Sequence, residues 1–455
     1  MKEVIYLLLF CCYFSAFSQK DKFNKGEIID SVLVSANSNE SYALYLPLQI
    51  NLSEFSPIIF IYEPMGRGEI GIHPFIKTAD TYGYILVCSN NSKNGPYEQN
   101  FEIANRLFSK IFSDFNIHKN RIYTSGFSGG ARLASNIANL TQQIQGVVAC
   151  GAGFSSNNGE LPNFGNFSYA AIVGDEDMNF KDMYTTKGFL DRLKMPNELF
   201  VYEMNHKWPD QEQILRAFDW MQLEAYNKGI IPTDHQNIKR IYSNYYIQAK
   251  MYENENKLLL AFNEYNRIRN NFSKYYKLDS ISNKITLLKN NKTYKREKKN
   301  LISNFEKETA LTESLLEQFK KDIKKIDPNL NWWITEINKL KKNLEKANNS
   351  ERKMVNRQLY KMFALAIETV SIGNTVQHIN QAILCYDICI LIYPKYSLPY
   401  YKQIENYMNK NNEEEALKYL EKLLNTGYSD FSSLKENTAI KKLKNNKRFQ
   451  ELVKM

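Results

Sequence analysis

A chain of 455 residues and 53.2 kDa exceeds what one hydrophobic core usually fills, so two or three domains are expected and a single small module is excluded. With 43% hydrophobic and 13% aromatic residues against 24% charged, it can bury a core, and only six cysteines rule out a disulfide scaffold. The net charge of +10 is unevenly laid: residues 19–229 hold 18 Lys+Arg against 23 Asp+Glu, while 230–455 hold 40 against 25.

Residues 4–17 form an apolar run after Met1-Lys2-Glu3, the length of a secretory leader and too short to span a bilayer. Ala16-Phe17-Ser18 places small residues where a signal peptidase needs them, which predicts a signal peptide over 1–18, cleavage before Gln19, and export to the periplasm or the medium. No membrane span is expected after cleavage. Lipid attachment at Cys11 or Cys12 is disfavoured by the bulky Leu9-Phe10 before them. Of the remaining cysteines, Cys385 and Cys389 lie one helical turn apart and read as small core residues. Cys88 and Cys150 each end a predicted strand, and whether they pair is left open.

Two strands are expected near 27–34 and 41–46, followed by a regular alternation. Strands are predicted at 58–62, 85–88, 121–125, 146–150, 169–173 and 199–203. Helices are predicted at 72–82, 97–115, 131–140, 181–193 and 211–227. Short β-rich runs between helices of this length give an α/β fold: a mostly parallel sheet with helices on both faces, whose sites gather at the carboxyl ends of the strands.

Chemistry-bearing residues fall at those ends. Gly126-Phe127-Ser128-Gly129-Gly130 is a G-x-S-x-G directly between a predicted strand and a predicted helix. The glycines suit a sharp turn at the serine, and the helix start behind it offers amide hydrogens to a developing oxyanion. A serine needs a base and an orienting acid. Gly174-Asp175-Glu176-Asp177 and Asn205-His206-Lys207-Trp208-Pro209 supply them at two later strand ends, in the order Ser128, Asp177, His206 expected of an α/β-hydrolase sheet. His206 is selected because His73, His118, His235 and His378 lie away from a late strand end. Asp177 competes with Asp175 and Glu176 and is preferred because the chain has left the strand there.

These residues resemble the triad motifs of the secreted polyhydroxybutyrate-depolymerase and feruloyl-esterase-like branch of the α/β-hydrolases. Ala79-Asp80-x-Tyr82-Gly83-Tyr84-Ile85-x-Val87 is similar to a segment of that branch as well. The resemblance covers about residues 40–225. It implies Ser128 as nucleophile, His206 as base and then acid, Asp177 as its partner, Trp208 packed by the histidine loop, and an ester rather than an amide as substrate. The family usually has His-Gly after the first parallel strand, feeding the oxyanion hole, where this chain has Glu63-Pro64-Met65-Gly66-Arg67. Pro64 has no amide hydrogen, so the amides of Met65 and Gly129 are the expected oxyanion donors. Asn205 stands where a glycine commonly precedes the histidine. Glu63, Arg67 and Arg132 are charged groups near the sheet top, read either as contacts to a polar substrate or as ordinary salt-bridged charges. No cofactor is expected, and neither an H-E-x-x-H nor a Cys/His cluster suggests a metal.

From about 230 onward strand signals vanish. Tyr245-x2-Gln248-Ala249-x2-Tyr252 followed by Ala261-x3-Tyr265 has tetratricopeptide spacing, and Tyr400-x2-Gln403-Ile404-x2-Tyr407 followed by Ala416-x3-Leu420 repeats it. Ala382-x3-Tyr386 with Pro394 is a third fragment. These units resemble tetratricopeptide repeats, with the usual Leu-Gly missing, and imply contact with a protein partner. Three segments are expected: the leader 1–18, an α/β-hydrolase domain over 19–229, and an all-α tetratricopeptide-like domain over 230–455. The basic helical half has aromatics at core spacing and no recognition motif, so nucleic acid is not expected as a partner. An exported serine esterase is the leading reading, acting on a small ester, a polysaccharide or a polyester. A non-catalytic platform of the same fold and a serine peptidase are the alternatives.

Overall fold

The computed structural model describes residues 23–154, 167–371, 379–430, 432 and 436–453. The predicted leader and His378 lie outside these residues. Two compact units divide at Lys295/Arg296.

The first unit is built on one eight-stranded sheet: β1 (Ile28–Leu33), β2 (Ser41–Tyr45), β3 (Ser56–Tyr62), β4 (Ile85–Ser89), β5 (Ile117–Phe127), β6 (Gly146–Cys150), β7 (Ser168–Gly174) and β8 (Asn197–Tyr202). Their spatial order is β1-β2-β4-β3-β5-β6-β7-β8. Only β2 runs antiparallel to its neighbours, β1 and β4; the rest are parallel. Every residue of β3, β6 and β7 is buried, as strands covered on both faces must be. This is an α/β-hydrolase sheet.

The connecting helices are α1 (Gly68–Ile72), α2 (Ile76–Tyr82), α3 (Tyr97–Asp114), α4 (Gly129–Thr141), α5 (Phe180–Arg192) and α6 (Gln211–Asn227). The single helix expected over 72–82 is interrupted: His73-Pro74-Phe75 forms a 3-10 turn between α1 and α2, because Pro74 has no amide hydrogen to continue the ladder. From β3 the chain steps to β4 on one side and then returns past β3 to β5 on the other. Right-handed crossovers in opposite directions place their helices on opposite faces and leave a crevice where the direction reverses. The carboxyl ends of β3 and β5, paired at Tyr62 and Gly126, flank that crevice.

Three further helices, α7 (His235–Asn254), α8 (Leu258–Phe272) and α9 (Asp279–Asn290), belong to the same unit. Their Ile238, Ile241, Tyr245, Ala261, Ile268 and Ile285 share one hydrophobic cluster with Phe200 of β8 and with Phe218 and Met221 of α6. Buried ion pairs accompany this contact. Arg216 of α6 meets Glu264 of α8 at 2.7 Å, and Arg267 reaches Glu198 of β8 at 3.1 Å while its guanidinium lies 4.2 Å from the Phe200 ring. The change from alternating elements to helices near residue 230 and the division between compact units at Lys295 are therefore two different boundaries.

Cys88 and Cys150 are separate buried thiols, as are Cys385 and Cys389. Cys88 is on β4 and Cys150 on β6, with β3 and β5 between them. Three strand spacings amount to about 14 Å, well beyond the reach of a disulfide.

The second unit is helical: most of α10 (Lys292–Asp322), then α11 (Leu330–Lys346), α12 (Asn349–Ser371), α13 (Ile379–Ile392), α14 (Ser397–Asn409) and α15 (Glu413–Leu424). One cluster gathers Leu315, Trp333, Leu359, Leu384 and Ile388, and a second gathers Tyr400, Ile404, Leu417 and Leu420. Hairpin α14–α15 repeats a feature of hairpin α7–α8 in the first unit. In each the turn carries an asparagine in the left-handed region, Asn256 (φ 57°) and Asn411 (φ 53°). In each, the next amide bonds back to the last tyrosine of the motif, Lys257 to Tyr252 and Asn412 to Tyr407, both at 2.9 Å. Asparagine is among the few non-glycine residues that tolerate this conformation.

Asp387 is buried in the second unit, where it accepts hydrogen bonds from Gln403 Nε2 at 2.7 Å and Tyr419 Oη at 2.6 Å. Burial dominates those bonds and pushes its carboxyl up to about 6. The folded state then binds the proton more tightly than the unfolded state does. Stability should accordingly fall as pH rises from about 4 to about 6, by a few kcal/mol at most. Denaturant unfolding of wild type and Asp387→Asn between pH 4 and pH 7 checks this: the asparagine variant should lose that component of the pH dependence.

Candidate active site

Ser128 sits at the abrupt junction between β5 and α4, with φ 54° and ψ −119°. The sequence forces this turn by leaving no room for side chains beside it. A Cβ on Gly126 would stand 2.4 Å from the Gly130 carbonyl, and one on Gly130 would stand 2.0 Å from the Tyr62 carbonyl oxygen. The strand thus turns sharply into the helix with Ser128 at the apex, beside the crevice between β3 and β5.

His206 comes from the loop after β8. Its Nε2 lies 3.0 Å from Ser128 Oγ and its Nδ1 lies 2.8 Å from Asp177 Oδ2. The side chains of His206 and Asp177 are 7% and 1% exposed, so this relay is shielded from bulk water. Asp177, rather than Asp175 or Glu176, is the carboxylate on the imidazole. The Asn179 amide donates to the other oxygen of Asp177 at 2.8 Å, and Asn179 Nδ2 donates to the Gly151 carbonyl at 2.7 Å. Asn179 therefore ties the carboxylate to the end of β6. Nothing in the motif pattern singled it out, since its role depends on the turn after Asp177.

Aromatic rings set the imidazole plane. Phe127, the residue immediately before Ser128, lies 4.6 Å from the His206 ring, and Trp208 lies 5.3 Å from Phe127. Trp208 in turn meets the edge of Phe75 at 5.9 Å. Trp208 thus packs beside the histidine loop through Phe127, a contact that the variable position of G-x-S-x-G concealed.

The expected oxyanion donors behave differently from each other. The Gly129 amide opens α4 and has no acceptor among the described residues. The Met65 amide is not free: it donates to Glu63 Oε2 at 2.7 Å, and the Arg67 amide donates to the same oxygen at 3.1 Å. Glu63 is buried, and its other oxygen pairs with the Arg67 guanidinium. This corrects two expectations, for Met65 as an oxyanion donor and for Glu63 as a substrate contact. A buried carboxylate must be satisfied locally, and the nearest donors are the amides of its own loop. Arg67 remains partly exposed while held by Glu63. Arg132 lies one turn past Ser128 on α4, partly exposed, and makes no ion pair among the described residues.

The arrangement can pass a proton from a serine hydroxyl to an imidazole braced by a carboxylate, which is what a nucleophilic serine requires. Among the described residues no group of three His, Cys, Asp or Glu side chains is placed to hold a metal ion.

No family model matches this chain, and no curated protein matches it. Solved structures similar to it include an S-formylglutathione hydrolase of Staphylococcus aureus, 13% identical over 44% of this chain and 98% of that one, with a TM-score of 0.36. A feruloyl esterase module of Clostridium thermocellum, complexed with sinapinate, is 15% identical over 42% of this chain and 86% of that one, at 0.35. Esterase 2 of Thermogutta terrifontis, phosphonylated by sarin, is 11% identical over 47% and 99%, at 0.37.

Proposed function

We propose that the chain is a serine hydrolase that cleaves carboxylic esters through an acyl-enzyme. The observation that carries this reading is the continuous relay from Ser128 Oγ through His206 to Asp177, at 3.0 Å and 2.8 Å. His206 takes the hydroxyl proton as Oγ attacks the ester carbonyl, and then returns it to the leaving alcohol. Water repeats the sequence to release the acid. Asp177 holds the imidazole with Nδ1 protonated, so that Nε2 faces the serine as a base. The preference for esters over amides comes from the resemblance of the triad motifs.

The helical remainder is read as tetratricopeptide-like hairpins for contact with a protein partner, supported by the matching turns at Asn256 and Asn411. Export is proposed from the apolar leader, with a small ester, an esterified polysaccharide or a polyester as substrate.

Incubation with a fluorophosphonate probe, followed by assay on p-nitrophenyl acyl esters and aminoacyl anilides, tests the reading. Labelling at Ser128 and turnover of esters are expected. Folded protein that takes no label would instead favour a non-catalytic platform, and faster turnover of anilides would favour a peptidase.

A further inference from the structure

From Pro64 to Gly68, where a second oxyanion donor is expected, the loop after β3 has no amide to give. Pro64 lacks one, the Met65 and Arg67 amides are held by the Glu63 carboxylate, and the Gly66 amide bonds to the Glu63 carbonyl at 3.1 Å. The Gly68 amide is taken by Asn90 Oδ1 at 2.8 Å. The Gly129 amide is left, and an oxyanion needs at least two donors to be held well.

The loop after β4 brings a side chain to this point. A Cβ built on Gly129 would lie 1.9 Å from Asn94 Oδ1, 2.8 Å from its Cγ and 3.2 Å from its Nδ2, so the Asn94 carboxamide lies directly against Gly129. Asn94 is an exposed residue, and its carboxamide makes no hydrogen bond among the described residues. Its backbone is nonetheless fixed. The Asn94 amide donates to the Pro64 carbonyl at 2.8 Å, and buried Asn100 brackets the preceding residues through Lys93 N at 3.1 Å and Lys93 O at 2.9 Å. A donor-bearing group on an anchored backbone thus stands beside the Gly129 amide of the elbow. Rotation about the Cβ–Cγ bond exchanges its oxygen and nitrogen positions without moving the backbone.

We propose that Asn94 is a catalytic residue whose Nδ2–H group, together with the Gly129 amide, holds the oxyanion. As Ser128 Oγ bonds to the carbonyl carbon, the carbonyl π electrons move to oxygen and the hydroxyl proton moves to His206 Nε2. The resulting O⁻ accepts from Gly129 N and Asn94 Nδ2. Its collapse reforms the carbonyl and expels the alkoxide, which takes the proton from His206. The assignment rests on the acyl-transfer reading of Ser128.

Steady-state kinetics of the full chain on p-nitrophenyl butyrate test it, with wild type, Asn94→Ala and the near-isosteric Asn94→Asp, each checked for an unchanged unfolding transition. Loss of one oxyanion donor should lower kcat by about 10²- to 10³-fold with little change in KM. The aspartate variant should fall at least as far, because its charge repels the oxyanion. A trifluoromethyl ketone, which forms a hemiketal oxyanion on the serine, should lose affinity by a similar factor. If wild type turns over the ester and Asn94→Ala keeps kcat within about threefold, or if the loss falls on KM alone, the assignment of Asn94 is overturned while the hydrolase reading stands. Wild-type protein that neither hydrolyses the ester nor takes a fluorophosphonate overturns that reading, and Asn94 with it.

Discussion

Replacing Ser128 by glycine is expected to abolish ester hydrolysis and at the same time to raise stability. Removal of Oγ takes away the nucleophile, and kcat should fall by about 10⁴- to 10⁶-fold. The stability gain follows from the backbone. Ser128 holds φ 54° and ψ −119°, a conformation that costs a residue with a Cβ about 1–3 kcal/mol and costs glycine almost nothing. Glycine gives back up to about 1 kcal/mol through its freer unfolded state, leaving a net gain on the order of 1 kcal/mol. Ser128→Ala separates the two effects, since it shares the lost hydroxyl and keeps the strain. Turnover of p-nitrophenyl butyrate and the urea midpoint of the three proteins check both parts. A glycine variant less stable than the alanine variant would show that the strain lies elsewhere.

Gly130→Ala is expected to destabilise the first unit and to remove activity even where some protein folds. Alanine is the better helix former by about 1 kcal/mol, and Gly130 lies within α4, so propensity alone predicts the opposite sign. Packing decides. The added methyl would stand 2.0 Å from the Tyr62 carbonyl oxygen and 2.7 Å from its carbon, both backbone atoms of a central strand that cannot turn aside. A collision of that kind costs about 3 kcal/mol or more. It would also push α4 away from β3 and carry Ser128 out of reach of His206. Gly188→Ala in α5 is the matched control. Its Cβ would meet only Arg192 Nη1, at 3.9 Å, so it should stabilise by up to about 1 kcal/mol. Thermal melts of the two variants against wild type, with ester turnover at a temperature where all are folded, distinguish them.

The relay of Ser128, Asp177 and His206 was legible because each residue stands at the end of a short apolar run, and parallel strands bring such ends to one edge. Asp177 could be separated from Asp175 on the same ground, by counting how far the chain had left the strand. The Met65 amide was misjudged because hydrogen-bond competition is invisible in a linear motif: a glutamate two residues upstream folds back only once the loop has closed over it. Asn94 was missed for a similar reason, since nothing near it in sequence announces Gly129. Pro74 was visible, yet the periodicity of residues 72–82 concealed the break it imposes. Helices α7 and α8 were legible from the spacing of Tyr245, Ala249, Tyr252, Ala261 and Tyr265, whereas α9 was covered only by the expectation of an all-α remainder. What the composition shift near 230 could not disclose is that Tyr245, Ile268 and Ile285 complete the core of the preceding sheet.

That last feature bears on how the molecule comes into being. When residue 229 has just been added to the growing chain, every strand and every member of the Ser128 relay already exists as polymer, but the packing against β8 and α6 is incomplete. Phe200 still lacks Tyr245 and the Arg267 guanidinium, and Arg216 still lacks the carboxylate of Glu264. The reactive half is therefore dependent in time on a segment that contributes nothing to the chemistry. Some sixty residues must follow before this core is complete, since its members Ile281, Ile285 and Leu288 lie on α9.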